Sequence, residues 1–283
     1  MTNAHPYRSR LATMVMALLA ASGSSLSAQD DDAPRGWSDV AELTFVFTAG
    51  NASSSTLGVK NTADYAWPDA SFQIAAGAVR TESGIAMRVA TGTPDDFEVT
   101  EETDTELTAE NYFLKTRYDR TVGELFLFGG AGWDRNTFAG VENRYAFVGG
   151  AGRTWFNTES RRFKTDVGVT YTVQDDVVEN PEAADSFLGL RSSLDFFYKL
   201  TSTTDFASVL VIDESLDETS DLRADWTGSI AVAMSSRLAL KTSLQLLYDN
   251  DPALAAVPLG DIEVLAPLKK VDSTLTLAIV AKF

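Results

Sequence analysis

The chain has 283 residues, and 40 acidic against 23 basic residues give it a formal net charge of −17 at pH 7. This acidity excludes binding to nucleic acid by neutralisation of phosphates, so we expect no nucleic-acid partner. The chain has no cysteine, which excludes thiolate catalysis and cysteine-based zinc sites.

The N-terminal residues have the pattern of a secretory signal peptide. Arg8 and Arg10 precede an apolar run at 11–21, and small residues follow it. The run is too short to span a bilayer, which takes about 20 apolar residues. We therefore predict a cleaved signal peptide that directs secretion through the inner membrane. The predicted boundaries are 1–28 for this signal, 29–36 for a short periplasmic segment and 37–283 for a folded domain.

After the signal, strand-like runs alternate with turn signals, and no helical periodicity is present. The runs at 163–173, 188–198 and 238–248 alternate apolar and polar residues most clearly, which is typical of strands with one apolar face. The run at 204–213 is weakly patterned. Twelve strands are predicted, at 37–48, 53–66, 71–82, 107–119, 124–135, 143–156, 162–174, 186–199, 204–213, 221–233, 237–249 and 271–283.

The lengths of the predicted connections alternate as well. After even-numbered strands they are short, at 67–70, 120–123, 157–161, 200–203 and 234–236. After odd-numbered strands, apart from the short one at 49–52, they are longer, at 83–106, 136–142, 175–185, 214–220 and 250–270. Membrane barrels show this asymmetry because short turns face the periplasm and long loops face outward. We therefore predict an all-β, transmembrane, antiparallel up-and-down barrel with both termini in the periplasm, and favour it over a soluble β-sandwich.

The last predicted strand ends on Phe283, and its apolar residues recur with a period of two. An apolar strand face with this terminal aromatic resembles the signal by which outer-membrane proteins are assembled. We expect Phe283 to act as an assembly signal, with the barrel-assembly machinery, outer-membrane lipid and lipopolysaccharide as partners. Aromatic residues near the predicted short turns suit an interfacial girdle, namely Tyr65, Trp67, Tyr118, Trp155, Phe156, Phe163, Tyr198 and Phe283.

The opposite face of these strands carries charges of both signs. The predicted lumen-facing residues are Lys60, Asp64, Lys115, Arg117, Asp119, Lys164, Asp166, Arg191, Asp195, Arg223 and Asp225. Such groups require partners or water, so they indicate either a polar channel or a salt-bridge network that fills the barrel. Barrels of eight strands are filled by side chains and those of sixteen leave a channel. For twelve strands we favour a narrow or occluded lumen.

The predicted loop after the third strand is rich in carboxylates. Its acidic candidates are Asp95, Asp96, Glu98, Glu101, Glu102 and Asp104. Oxygen ligands suit calcium or magnesium, but the spacing matches no EF-hand. We therefore favour diffuse binding of these cations over a defined metal site, and we expect no cofactor.

The residue types argue against an enzyme. The single histidine, His5, lies within the predicted signal peptide, so the mature chain lacks the usual imidazole base. A serine–lysine pair or a carboxylate pair is open by residue type, but no spacing singles one out. We expect a non-enzymatic protein.

Three segments resemble the family of salt-induced outer-membrane proteins, or domain of unknown function 481. They begin AELTFVFTAGN at residue 41, YDRTVGELFLF at residue 118 and LTLAIVAKF at residue 275. The resemblance implies a cell outer-membrane location and a role in salt or osmotic stress, and it supplies no catalytic residues. The expected role is structural or that of a narrow channel. The alternative is a surface receptor or adhesin whose acidic loops bind cations.

Overall fold

The computed structural model of the protein describes residues 36–48, 52–93, 96–180, 184–218, 221–259 and 262–283. The predicted signal peptide at 1–28 and the predicted periplasmic segment up to residue 35 lie outside the described residues. The described part contains fourteen strands and a short 3-10 helix at Thr137–Ala139. No helix within these ranges has the length and apolar character needed to cross a membrane.

The strands differ widely in length. In chain order they are β1 (Gly36–Thr48), β2 (Ala52–Ala66), β3 (Ala70–Thr93), β4 (Asp96–Val122), β5 (Leu125–Asn136), β6 (Val141–Thr158), β7 (Arg161–Asp176), β8 (Ser186–Lys199), β9 (Thr204–Ser215), β10 (Leu222–Ala233), β11 (Leu238–Asp249), β12 (Leu254–Leu259), β13 (Ile262–Pro267) and β14 (Val271–Lys282).

Twelve of these strands close into one antiparallel barrel, which confirms the predicted fold class. Their order around the barrel is β1-β14-β11-β10-β9-β8-β7-β6-β5-β4-β3-β2, and β12 pairs only with β13 in a separate hairpin. Every predicted strand coincides with a barrel strand, including the weakly patterned run at 204–213, which forms most of β9. Consecutive barrel strands are neighbours throughout, as in an up-and-down barrel.

The prediction is wrong for two segments, which we expected to be loops and which contain strands. Residues 83–106 lie mainly in β3 and β4, which stay paired from Glu82↔Leu107 to Thr93↔Asp96. Residues 250–270 contain the β12–β13 hairpin. In both segments, pairing between two adjacent strands satisfies the backbone hydrogen-bonding groups, so the strands continue through glycine and proline residues, which ordinarily mark turns.

The two ends of the barrel differ. At the turn end, β1 begins, β14 ends and the described connections are two to four residues long. At the opposite loop end lie the β3–β4 hairpin and the connections after β5, β7, β9 and β11. The β3–β4 hairpin runs past its neighbours, because β2 pairs with β3 only as far as Ile85 and β5 pairs with β4 only from Tyr112.

Large apolar side chains cover the outer surface of the barrel. In β14, Leu275, Leu277 and Ile279 are 74%, 50% and 52% exposed, whereas Ala278 and Val280 are buried in the interior. Exposed residues on other strands follow the same alternation and include Leu43, Phe45, Leu57, Val59, Val167, Val169, Leu188, Leu190, Leu238, Leu240, Leu244 and Leu246. Monomeric soluble proteins rarely expose apolar patches larger than a few hundred Å². This surface therefore requires an apolar medium or a partner.

Aromatic rings gather at the turn end. Trp37, Tyr65, Trp67 and Tyr118 form one continuous series across β1 to β4, with centroid distances between 4.4 and 6.2 Å. A second series joins Phe156, Phe163, Phe196, Tyr198 and Phe206 across β6 to β9. Aromatic girdles of this kind mark the edges of the apolar band in membrane barrels.

Candidate functional site: the barrel lumen

A continuous cavity of about 1530 Å³ runs through the barrel. Trp67 and Pro68 line it at the turn end, and Asp217, Glu218 and Asp251 line it at the loop end. Strands β3 to β10 supply most of its wall. The cavity is therefore lined by residues from both ends of the barrel, and it lies beside a packed region of the lumen.

The packed region is built around a buried carboxylate. The Nζ of Lys241 donates to both oxygens of Glu42 at 3.0 Å, and the Nζ of Lys60 lies 3.9 Å from Glu42 Oε1. Lys60 is only 3% exposed. Because these residues come from β1, β2 and β11, their contacts fill the lumen beside the junction of β1 and β14.

On the opposite wall, Arg117 is the centre of a second network. Its Nε donates to Asp119 at 2.8 Å and its Nη2 donates to Asp166 at 2.8 Å. The Nζ of Lys164 donates to the other oxygen of Asp119 at 3.3 Å. The guanidinium carbon of Arg117 lies 4.0 Å from the centre of the Phe128 ring, a favourable cation–π geometry.

Glycines make room for the rings beneath Arg117. Phe126 and Phe128 are buried inside the barrel. A Cβ on Gly152 would lie 2.2 Å from the Phe126 ring, and a Cβ on Gly150 would lie 2.9 Å from the Phe128 ring. The glycine-rich sequence of β6 thus leaves room for two aromatic rings, and the guanidinium of Arg117 lies over both of them.

Three arginines pair with carboxylates towards the loop end. Arg191 donates to both oxygens of Asp213 at 2.7 and 3.0 Å, and Arg223 donates to both oxygens of Asp221 at 2.9 and 2.7 Å. Arg144 lies 3.8 Å from Asp134. These cations are therefore neutralised locally by their partners. Burial raises the pKa of the Asp221 carboxyl, which lies just before β10, while Arg223 acts in the opposite direction.

Lys115 packs against an aromatic ring of its own strand. Its Nζ lies 5.7 Å from the centre of the Phe113 ring. Asp225 is held in place by Gln245, whose Nε2 donates to it at 2.9 Å. Lys115 and Asp225 are therefore charges of opposite sign that both border the cavity.

The structure places the predicted lumen residues on the inside of the barrel. Ten of the eleven line the cavity, namely Asp64, Lys115, Arg117, Asp119, Lys164, Asp166, Arg191, Asp195, Arg223 and Asp225. Lys60 instead lies in the packed region. Sequence reasoning missed Glu42 and Arg144. The glycine-rich run that contains Arg144 fits either register by sequence, and the alternation of β1 was the only signal available for Glu42.

The acidic metal candidates lie away from this network. Asp95 is outside the described residues, and Asp96, Glu98, Glu101, Glu102 and Asp104 belong to the long strand β4. An extended backbone advances about 3.3 Å per residue, so the backbone positions of these five span most of the projecting hairpin. Within the described residues, no group of three or more candidate ligands is positioned to hold a metal ion.

The match to a family model identifies the class of protein to which the chain belongs. The model for "Protein of unknown function, DUF481" matches residues 41–283, and the chain is therefore a member of that family, as its motifs indicated. No curated protein matches the chain.

Solved structures with similar architecture are outer-membrane barrels. The translocator domain of autotransporter NalP from Neisseria meningitidis is 11% identical with a TM-score of 0.45, and the match covers 89% of this chain and 90% of that one. An outer membrane channel from Pseudomonas putida F1 is 12% identical with a TM-score of 0.45, over 88% and 96% of the two chains. An anion-selective porin from Comamonas acidovorans is 10% identical with a TM-score of 0.38, over 87% and 98%. At these scores, the barrel assignment rests on this chain's own strand pairing.

Proposed function

We propose that the protein resides in the outer membrane, with its apolar outer surface in contact with lipid. The exposed apolar residues of the barrel strands support this location because a bilayer covers such a surface without a protein partner. The aromatic series at the turn end supports the same placement, with the turn end in the periplasm. On this proposal the bilayer, rather than a second protein layer, covers the outer face of each strand.

Membrane fractionation combined with gel mobility tests this location. We expect the chain in the outer-membrane fraction, with a faster-migrating band in unheated samples that shifts on boiling, because a folded barrel resists unfolding by detergent. Recovery of a compact monomer from the soluble fraction without detergent would overturn the proposal.

We further propose that the lumen is a narrow channel for small hydrophilic solutes, and that the protein is not an enzyme. The observation that carries this function is the cavity that runs from the turn end to the loop end between polar and charged walls. Paired charges such as Arg117 and Asp166 keep the wall hydrated without leaving an isolated ion in a narrow space.

Planar-bilayer recording of the purified barrel tests the channel. Insertion is expected to give discrete and reproducible conductance steps. An absence of steps at every applied voltage, from protein that shows the gel shift of a folded barrel, would reject the channel and leave a structural role.

A second function, that of a surface receptor or adhesin, is favoured by the β3–β4 hairpin. Beyond Ile85, eight further residues of β3 pair only with β4, so the hairpin projects by about 26 Å from its β2 neighbour. Deleting 86–103 should abolish binding of cells to a host or abiotic surface while the gel shift persists. Unchanged binding would remove this candidate.

The role in salt or osmotic stress is a prediction from the family resemblance, and a comparison of transcript levels at low and high salt tests it.

A further inference from the structure

Two connections from opposite walls meet over the loop end of the barrel. The first is the turn between β5 and β6, which contains Gly140. The second is the base of the β12–β13 hairpin, residues 250–253 and 268–270, which we call the strap. A Cβ on Gly140 would lie 2.4 Å from the Cβ of Ala253 and 3.2 Å from the Cδ1 of Leu268. The turn and the strap are therefore in direct van der Waals contact.

The strand order shows that this contact crosses the mouth of the barrel. The strap joins β11 and β14, and the turn joins β5 and β6. Between these two pairs lie β10, β9, β8 and β7 on one side and β1, β2, β3 and β4 on the other. The two connections thus start from diametrically opposite points of the wall, and they meet only by reaching over the lumen.

Hydrogen bonds hold the β5–β6 side of the contact in place. Asn136 Oδ1 accepts from the backbone N–H of Ala139 at 3.1 Å. The carbonyl of Gly140 accepts from the N–H of Val177 in the β7–β8 connection at 2.9 Å. Gly140 has a φ of 83°, a left-handed conformation that glycine adopts without strain. These hydrogen bonds therefore fix the position of the turn against which the strap packs.

Backbone hydrogen bonds also hold the strap in place. The N–H of Leu268 donates to the carbonyl of Ala253 at 3.0 Å, and the N–H of Asp249 donates to the carbonyl of Lys270 at 2.8 Å. The N–H of Asn250 donates to the carbonyl of Leu222 on the adjacent strand at 3.0 Å. Ala253 and Leu268 themselves line the cavity, so the strap borders the path that leads into the lumen.

We propose that the strap is a fixed bar across the loop-end mouth, and that it limits the size of the hydrophilic solutes that enter. This inference rests on the proposed channel function. The size of solute that a pore admits depends on the narrowest cross-section that the solute meets. The strap crosses the mouth, whereas the lumen below it holds the cavity, so the narrowest cross-section lies at the strap.

A variant that lacks most of the strap together with the β12–β13 hairpin, called the strap-deleted variant, tests the size limit. Because Asp249 and Lys270 already pair as the last residues of a hairpin, residues 251–269 can be replaced by a single glycine. The result is the sequence Asp249-Asn250-Gly-Lys270, and an Asn-Gly pair favours a two-residue turn. In liposome-swelling assays we expect the variant to admit larger sugars than the natural chain, with a single-channel conductance higher by roughly twofold or more.

A disulfide between the two sides tests whether the bar is fixed. The chain has no cysteine, so Gly140→Cys with Ala253→Cys introduces the only two thiols. Their Cβ atoms must separate from 2.4 Å to about 3.8 Å to form a disulfide. A cysteine at position 140 also takes a left-handed φ that strains it, so the gel shift of the Gly140→Cys variant must first show that the barrel folds. We expect oxidation to give an intramolecular disulfide while conductance and size limit stay as in the natural chain. Each single-cysteine variant under the same oxidant is the matched control.

The outcomes separate this inference from the channel itself. If the natural chain conducts and the strap-deleted variant has the same size limit, the inference is wrong and the channel stands. Failure of the disulfide to form in barrels that show the gel shift of the folded state, or a large drop in conductance on its formation, also overturns the fixed bar. If only the strap-deleted variant conducts, the strap occludes the mouth, which supports the bar and overturns the channel function of the natural chain.

Discussion

Glu42 holds together the shortest strand pairing of the barrel. The described pairing of β1 with β14 extends over five residue pairs, from Val40↔Lys282 to Thr44↔Ala278, whereas β1 pairs with β2 over its whole length. Glu42 lies in the middle of this junction, and its bond to Lys241 passes across β14 to β11. A buried ion pair therefore reinforces the place where the barrel closes.

Replacement of Glu42 by glutamine is expected to destabilise the barrel. The change leaves Lys60 and Lys241 buried without their carboxylate, and loss of one partner of a buried ion pair costs about 3–5 kcal/mol. Urea unfolding in detergent micelles measures the loss. The matched control is Glu82→Gln, because the Arg80–Glu82 pair is exposed and such pairs contribute about 0–1 kcal/mol. Equal effects of the two substitutions would show that the packed region contributes no more than a surface pair.

Two adjacent glycines of β6 provide a second test at the residue scale. A Cβ on Gly150 would lie 2.1 Å from the carbonyl oxygen of Val167, whereas a Cβ on Gly149 meets nothing closer than 3.9 Å. We expect Gly150→Ala to lower the free energy of unfolding by about 1–3 kcal/mol, as overpacking does, and Gly149→Ala to leave it nearly unchanged. Gly149 is exposed on the outer face of β6. Urea unfolding of both variants checks this prediction, and a costly Gly149→Ala would contradict the outward placement of Gly149.

At the scale of the element, alternation made the barrel strands predictable. A period of two in runs such as 238–248 gives both a strand and the face that each residue occupies, so the lumen-facing positions followed from the same pattern. The pairing partners did not follow. Arg117 binds Asp166, 49 residues away, and Lys241 binds Glu42, 199 residues away. Contacts between strands depend on their tilt and register, which local sequence does not specify.

In two segments, the sequence pattern did not predict the strands that the structure contains. The β3–β4 hairpin contains Gly84 and Gly92, and β12 and β13 contain Pro258 and Pro267, residues that ordinarily mark turns. The β12–β13 hairpin pairs only with itself, so its edge positions tolerate prolines that a central strand would not. Beyond Ile85, the β3–β4 hairpin also pairs only within itself. The cavity and the strap were beyond sequence reasoning because they arise only when opposite walls come together.

The outer face of β14 allows a depth-dependent test of the surrounding medium. Val271 lies at the loop-end start of the strand and Leu277 near its middle, and both are exposed. Arginine on the lipid face costs about 2–4 kcal/mol at the midplane of a bilayer and about 0–1 kcal/mol near its edge. We therefore expect Leu277→Arg to destabilise the barrel far more than Val271→Arg when unfolding is measured in lipid vesicles. Equal, small effects would argue that water surrounds this face.

At the scale of the whole molecule, the charge of the chain is concentrated where solutes would pass. Among the described residues that line the cavity, eighteen are acidic and eight are basic. Lining charges of one sign raise the local concentration of the opposite ion. The basic residues are mostly paired, as Arg191 is with Asp213, so the surplus of carboxylates dominates the field within the lumen.

This surplus predicts a channel that prefers cations at neutral pH. In asymmetric potassium chloride, the zero-current potential should have the sign of cation selectivity. It should fall towards zero as the pH approaches about 4, the ordinary range of carboxyl pKa values. Asp221 should lose its charge at a higher pH than a solvent-exposed carboxyl does, because burial raises its pKa. The double substitution Asp217→Asn with Glu218→Gln removes two rim charges and should weaken the preference at pH 7, whereas Lys115→Gln removes a positive charge and should strengthen it. Anion selectivity of the natural chain, or shifts of the same sign in both variants, would show that lining charge does not govern permeation.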